Sequence, residues 1–148
     1  MSSEREASIT LKNESDRYFM LRVMYMFPGQ EKLTSKWVML RPHEEQKVFE
    51  EIVYYTGALT KDEFCEFKLQ GIKYKEVRDV EPLSFVYDGK HLILDDIHFM
   101  NNNAWIRHDL ADNDNGMAVT VCAGLPNARI VSASSSTTHV FTIASWQG

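Results

Sequence analysis

The sequence predicts an all-β fold, a single β-sandwich of about nine short antiparallel strands with at most one short helical turn. Its apolar runs are short and mostly alternate with polar residues, turn residues separate these runs, and no long amphipathic helix pattern is present. Short strands divided by turn signals are typical of a sandwich or a barrel. We favour the sandwich because the opening strands resemble Greek-key hairpins rather than an even meander.

The length and composition predict one domain. A chain of 148 residues has the commonest size of a single domain, and its 44% hydrophobic and 25% charged residues are close to the globular average. No internal repeat is present. We assign residues 1–6 to a flexible N-terminus and residues 7–148 to the sandwich.

The clearest strand patterns of the first half lie close to the N-terminus. Residues 7–12 alternate between apolar and polar, and turn-forming residues follow at 13–16. Residues 18–27 are apolar at almost every position. This pattern indicates either a strand covered on both faces or one with an exposed methionine row, formed by Met20, Met24 and Met26. Further strands are predicted at residues 36–40, 48–55, 64–69 and 72–74, with a tight turn at Gln70-Gly71.

The second half contains the strongest local signal. Asp88-Gly89, flanked by alternating apolar residues at 83–87 and 91–94, predicts a hairpin with a type I′ turn because both turn residues tolerate positive φ. Residues 95–103 are predicted to be a loop and residues 105–110 one helical turn. The remaining strands are predicted at residues 117–123, 128–132 and 139–143.

Charge and cysteine content narrow the classes of function. The 16 basic and 21 acidic side chains give a net charge of -5 without a basic stripe, so we expect no nucleic-acid partner. No apolar run reaches the ~18 residues of a membrane span, and the first residues do not resemble a signal peptide. Cys65 and Cys122 lie in apolar runs, as buried reduced thiols do. We therefore expect a cytoplasmic protein.

Several short motifs carry a family resemblance. They are Ile9-Thr-Leu-Lys-Asn13-Glu-Ser15, Trp37, Tyr55-Thr-Gly-Ala-Leu-Thr60 with Asp62 and Phe64, Gly71 with Tyr74, residues 108–116 and Thr137-Thr138. On these motifs, which cover roughly the first half and the last quarter, the chain resembles a small nematode and fungal domain family named for upregulation in an insulin-signalling (dauer pathway) mutant.

The chain departs from this family at two places. The family carries tryptophan at the position of Phe64, and a longer alanine-rich insertion where residues 76–103 have strand patterns. The family name records expression and not chemistry. The resemblance therefore implies a compact β-domain and supplies no catalytic residues.

The function predicted first is a non-enzymatic, lectin-like binding module with its site on end loops, at residues 55–62 and 105–116. Loops on rigid β scaffolds commonly carry function, and an aromatic ring beside amide and charged groups suits a carbohydrate or a lipid head group. The alternative for Trp105 is a structural role, in which its ring packs into one end of the sandwich and contacts no ligand. The predicted contacts are Tyr55, Thr56, Gly57, Asp62, Trp105 and His108.

Calcium is the one metal for which the sequence offers candidate ligands. Asp112 and Asp114 alternate with asparagines before Gly116, and calcium takes several oxygen ligands. The spacing of an EF-hand is not met, since a loop beginning at Asp112 has Ala123 where the bidentate glutamate belongs. No other cofactor is expected.

Three alternatives remain. A protein-interaction domain or homo-dimer would use the methionine row as an adaptable apolar surface. A membrane-active β-sandwich would need an insertable amphipathic segment, which the sequence does not show. A hydrolase would need two or more of His91, Asp95, Asp96 and His98 to converge, and since no catalytic motif is present we expect a protein that is not an enzyme.

Overall fold

The structure is a computed structural model that describes residues 2–57, 64–96, 105–109, 116–123 and 128–132. These residues form eleven strands in two packed sheets, which confirms the predicted β-sandwich. The strands are β1 (Ser2–Asn13), β2 (Tyr18–Met26), β3 (Leu33–Thr34), β4 (Val38–Leu40), β5 (Glu45–Gly57), β6 (Phe64–Val77), β7 (Phe85–Tyr87), β8 (Lys90–Asp96), β9 (Ile106–Asp109), β10 (Met117–Ala123) and β11 (Ala128–Ser132). Within the described residues there is no helix that could span a bilayer.

The smaller sheet has the order β11-β10-β1-β5. Its central strand β1 is antiparallel to β5 but parallel to β10, so the prediction of purely antiparallel pairing is wrong for β1 and β10. This contact joins strands from opposite ends of the chain, and a pairing of that range leaves no local signal. β1 already begins at Ser2, opposite Gly57, so residues 2–6 lie in the strand although the predicted domain begins at residue 7.

The larger sheet has the order β3-β2-β6-β8-β7, with β4 also paired to β2 and β9 also paired to β6. Its longest strand, β6, is continuous across Gln70 and Gly71, so the predicted tight turn there is wrong. These residues pair with Arg22 and Leu21 in the middle of the β2–β6 ladder. The uninterrupted pairing with β2 overrides the local turn preference of glycine.

Two further predictions concern single elements of the larger sheet. The helical turn predicted at residues 105–110 is instead strand β9, because Ile106–Asp109 pairs with β6. The hairpin between β7 and β8 is confirmed. Asp88 and Gly89 both have positive φ, 56° and 73°, as a type I′ turn requires.

Residues of both sheets form one core. Phe27 packs against Tyr54 and Phe67, with ring centroids 4.8 and 6.0 Å apart. Burial of such side chains is the main favourable term in folding. The fully buried members with the largest side chains are Tyr54, Phe19, Phe27, Phe67, Ile9, Leu11, Leu21, Leu40, Leu69 and Leu92.

Strand β2 is covered on both faces, which confirms the first of its two predicted readings. Met24 is only 9% exposed, and Met20 and Met26 are half-buried. The alternative of an exposed methionine row is therefore wrong. The strand predicted at residues 139–143 lies outside the described residues.

Candidate functional site

The end of β5, the start of β6 and the end of β9 lie at the same end of the sandwich. β5 ends at Gly57, β6 begins at Phe64, and Asp109 at the end of β9 pairs with Phe64. We call this the distal end, and the opposite end, where β1 ends at Asn13 and β2 begins at Tyr18, the proximal end. The strand register thus brings the end of β5 and the end of β9 to one end of the fold.

Tyr55 is the exposed aromatic residue at the distal end of β5. Side chains alternate along a strand, so Ile52 and Tyr54 face the core while Tyr55 faces solvent. Tyr55 is 49% exposed and Tyr54 is completely buried. Thr56 and Gly57 follow as the last residues of β5, paired with β1.

A second group at the distal end comes from β6 and β9. The Arg107 guanidinium carbon lies 3.9 Å from the centroid of the Phe64 ring, and Arg107 Nε donates a 2.9 Å hydrogen bond to Asp109 Oδ1. Sequence reasoning missed Arg107 and Asp109 because the segment resembled a helical turn. The strand alternation of β9 is the signal that places both outside.

These two groups lie on opposite outer faces of the sandwich. Tyr55 projects from the smaller sheet, whereas Arg107 pairs with Glu66 on the outer side of the larger sheet. Facing sheets are about 10 Å apart. A ligand that touched both groups would therefore have to lie across the distal end.

Trp105 lies away from the distal end, and His108 lies near that end but faces the core. Trp105 lies beside Lys68, whose Nζ is 5.9 Å from the ring centroid, and Lys68 is four residues, or about 13 Å, along β6 from Phe64. His108 is 1% exposed and lies opposite Cys65, on the core side of β9. Neither side chain is placed to contact a ligand at the distal end.

The predicted acidic residues Asp62, Asp112 and Asp114 lie outside the described residues. Elsewhere in the described part of the chain, no group of three or more histidine, cysteine, aspartate and glutamate side chains is placed to hold a metal ion. Calcium binding by Asp112 and Asp114 stays a prediction.

The residues proposed for a hydrolase do not converge where they are described. His91 and Asp95 lie four residues apart on β8, about 13 Å along an extended strand. Asp95 instead accepts ion pairs from Lys73 at 3.5 Å and from Arg17 at 3.6 Å. Asp96 is the last residue of β8, and the structure does not describe its side chain. His98 lies outside the described residues.

The proximal end is closed by the side chain of Asn13, which is fully buried. Its Oδ1 accepts hydrogen bonds from the backbone N–H and the hydroxyl of Ser15, at 2.9 and 2.7 Å. Its Nδ2 donates to the carbonyl oxygens of Arg17 and Arg41, at 2.6 and 2.9 Å. The Asn13-x-Ser15 motif therefore ties two connections together and does not face a ligand.

Two cavities lie away from the distal end. The first, of about 300 Å³, is at the proximal end, and the second, of about 440 Å³, lies along the side where β4 faces β5. Charged groups of the first are paired with each other or with neighbours, as in Lys90 with Glu76 at 3.6 Å and Asp16 with His43 at 3.0 Å. The first is lined by Asp16, Arg17, Tyr18, Pro42, Tyr74, Lys75, Glu76 and Lys90, and the second by Thr34, Ser35, Lys36, Val38, Gln46, Lys47, Val48 and Phe49.

Both cysteines are buried free thiols. Burial raises the pKa of the Cys65 thiol well above its usual range, because the thiolate would lose its hydration. Cys65 is therefore protonated and unreactive in the folded protein at neutral pH.

The comparison with known families supports the motifs of the first half. The model of the family Up-Regulated in long-lived daf-2 matches residues 3–78, more than half of the chain. The match runs from β1 to just past β6 and includes Asn13, Trp37 and Tyr55. No curated protein gives a significant match. The chain belongs to the family Up-Regulated in long-lived daf-2.

Proposed function

We propose that this protein is a non-enzymatic binding module whose ligand site lies at the distal end. The observation that carries the proposal is the register of β9 on β6, which pairs Asp109 with Phe64, so that Arg107 and Asp109 lie at the end of the fold where β5 ends with Tyr55. Strand ends at one end of a rigid sandwich commonly carry binding residues on β scaffolds.

The ligand we propose is a carbohydrate or a lipid head group. The exposed ring of Tyr55 can stack on the apolar side of a sugar. Arg107 and Asp109, which are 52% and 71% exposed at the side chain, offer a cation and a carboxylate to hydroxyl or phosphate oxygens. Thr56 and Gly57 continue the strand beside Tyr55.

Two other features bear on the cellular location and on self-assembly. The buried free thiols Cys65 and Cys122 suit a reducing compartment, so we propose a cytoplasmic location. The alternative of a self-assembling domain depended on the methionine row. With Met24 9% exposed, that row is not a continuous free surface.

The test is the melting temperature of the protein against a panel of monosaccharides, glycerophosphocholine, glycerophosphoserine and calcium. A ligand that binds only the folded state raises the melting temperature with concentration. We expect one sugar or one head group to do so and Tyr55→Ala to remove the shift, while Phe85→Ala, an exposed ring on the β7 edge, keeps it. The double variant Asp112→Asn with Asp114→Asn should remove a calcium shift alone.

Two results would overturn the distal-end site. One is a panel without any concentration-dependent shift. The other is a shift that Tyr55→Ala and Phe85→Ala reduce equally, because that would show a general effect of losing an exposed ring. Arg107→Gln provides a second variant on the opposite face, and we expect it to weaken only a ligand long enough to lie across the distal end.

A further inference from the structure

The outer face of the larger sheet carries two cations between two tryptophans. Trp37 flanks Arg22 on β2, Arg22 pairs with Gln70 on β6, and Trp105 flanks Lys68 on β6. We call these five residues the Trp37–Trp105 band. It lies on the face opposite to the core.

Each cation of the band is packed against a ring. The guanidinium carbon of Arg22 is 4.6 Å from the Trp37 ring centroid, and Lys68 Nζ is 5.9 Å from that of Trp105. Arg22 Nε also donates a hydrogen bond to Gln70 Oε1. Lys68 is 7% exposed and Gln70 is 5% exposed, so this part of the outer face is largely removed from water.

The register places the two positive charges side by side. Arg22 is opposite Gln70 and Met24 is opposite Lys68, which makes Arg22 and Lys68 diagonal neighbours on one face. Diagonal neighbours of an antiparallel pair are about 7–8 Å apart. This distance joins the backbone positions and not the charges, and both side chains are long enough for their charged ends to reach one small anion between them.

The nearest carboxylate along β6, that of Glu66, lies on the same face two residues before Lys68 but forms no ion pair with it. The ion pairs found within the described residues with N···O distances of at most 4.0 Å include neither Arg22 nor Lys68. Lys73, the other buried lysine of β6, is 6% exposed and pairs with Asp95 at 3.5 Å. The band therefore differs from the Lys73–Asp95 pair of the same strand in that neither of its cations is ion-paired within the described part of the chain.

We propose that the Trp37–Trp105 band binds one oxyanion group, a phosphate or a sulfate, between Arg22 and Lys68. The two Nη groups of Arg22 and the ammonium of Lys68 donate to its oxygens, since Arg22 Nε is already bonded to Gln70. Gln70 holds the guanidinium in place, and the two tryptophan rings flank the anion. The site is separate from the distal end and does not depend on the function proposed there.

The test is a titration of the full chain with sodium phosphate and with sodium sulfate at constant ionic strength, with chloride as the reference anion. Isothermal calorimetry and tryptophan fluorescence should both give a saturable response. We expect Lys68→Gln and Arg22→Gln each to weaken binding about tenfold or more, as loss of a charge-assisted hydrogen bond does. Lys32→Gln, which removes an exposed lysine, should leave the affinity unchanged.

Two further variants keep the test independent of folding. Lys68→Arg preserves the charge and should retain binding, whereas Tyr55→Ala should leave oxyanion binding intact whatever it does at the distal end. The proposal is overturned if neither anion gives a saturable response through the millimolar range. It is also overturned if Lys32→Gln weakens binding as much as Lys68→Gln, because the response would then follow net charge.

The carrier of the oxyanion is identified by comparing inorganic phosphate with glucose 6-phosphate and glycerol 3-phosphate. Tighter binding of one ester that is lost in Lys68→Gln would support the band and name a sugar or a lipid-like head group as the carrier. Equal binding of all three would support recognition of the oxyanion group alone. Binding of an ester that survives in Lys68→Gln and Arg22→Gln would place the phosphate elsewhere and contradict the proposal.

Discussion

Along residues 67–70 of β6, the two faces of the larger sheet are buried to a similar degree but by different chemistry. On the inner face, Phe67 and Leu69 of β6 are completely buried against the other sheet. On the outer face of the same strand, Lys68 and Gln70 are 7% and 5% exposed. Burial alone therefore does not separate the core of this sheet from its surface.

The difference lies in what compensates the buried groups. The inner face buries apolar side chains. Lys73, further along β6, is also buried, and it forms an ion pair with the carboxylate of Asp95. The outer face holds Arg22 and Lys68 against tryptophan rings. A buried charge with a carboxylate partner is typical of a structural ion pair, whereas Arg22 and Lys68 form no such pair among the described residues, which is the basis of the oxyanion site proposed above.

The largest effect is expected on the inner face. Phe67→Ala removes a ring that is completely buried and that contacts Phe27 edge-on, at a centroid distance of 6.0 Å. We expect the free energy of unfolding to fall by about 3–5 kcal/mol, since the change loses apolar burial and leaves a cavity. Urea denaturation followed by circular dichroism measures it.

Phe85→Ala is the matched control for that experiment. Phe85 is 37% exposed and contacts Tyr74 at a ring-centroid distance of 5.2 Å on the edge of the same sheet. We expect a loss below about 1.5 kcal/mol, from one aromatic pair and little burial. Equal losses in the two variants would mean that the inner face is not the core of the sheet.

The fold class could be predicted from the sequence because its signals are local. The alternation of residues 7–12 follows from the period of two in a strand, and Asp88-Gly89 selects its turn through the φ values of two adjacent residues. The apolar run of residues 18–27 predicted a strand but left open whether both of its faces are covered, which the structure decides. Each of these inferences needs only neighbouring residues.

The predictions that failed depend on pairing between distant segments. Gly71 is a turn former in isolation but lies inside β6 because β2 pairs with it. Trp105 belongs to a segment that resembles a helical turn until β9 pairs with β6. The Trp37–Trp105 band could not be predicted at all, since Arg22 and Gln70 are 48 positions apart in the chain. Only the register of β2 on β6 brings its cations together.

A smaller effect is expected at the ion pair between Lys73 of β6 and Asp95 of β8. Asp95→Asn removes the carboxylate that accepts Lys73 Nζ at 3.5 Å and Arg17 Nε at 3.6 Å, and leaves Lys73 buried without it. We expect a loss of about 1–3 kcal/mol, below that of a fully buried pair because the Asp95 side chain is 24% exposed. Urea denaturation again gives the value.

Two further variants test whether the stability lost in Asp95→Asn comes from the buried charge of Lys73, which no longer has a carboxylate partner. Adding Lys73→Met to Asp95→Asn should recover part of the stability, because it removes the buried charge. Asp88→Asn breaks the 2.9 Å pair with Arg41, in which both side chains are at least a third exposed, and should cost below about 1 kcal/mol. A double variant less stable than Asp95→Asn alone would show that Lys73 contributes through packing and not through its charge.

A small effect is also expected at the β7–β8 hairpin, where Phe85 and Val86 of β7 are exposed. Gly89 has φ of 73° and a Cβ built on it would meet nothing within 4 Å, so Gly89→Ala costs only the strain of a left-handed backbone, about 1 kcal/mol. Gly29, with φ of 74° and equally open surroundings, offers the same change outside the hairpin. Equal losses in the two variants, measured by thermal denaturation, would show that the hairpin adds no packing of its own. A much larger loss at Gly89 would mean that the exposed edge is coupled to the covered faces of the sheet.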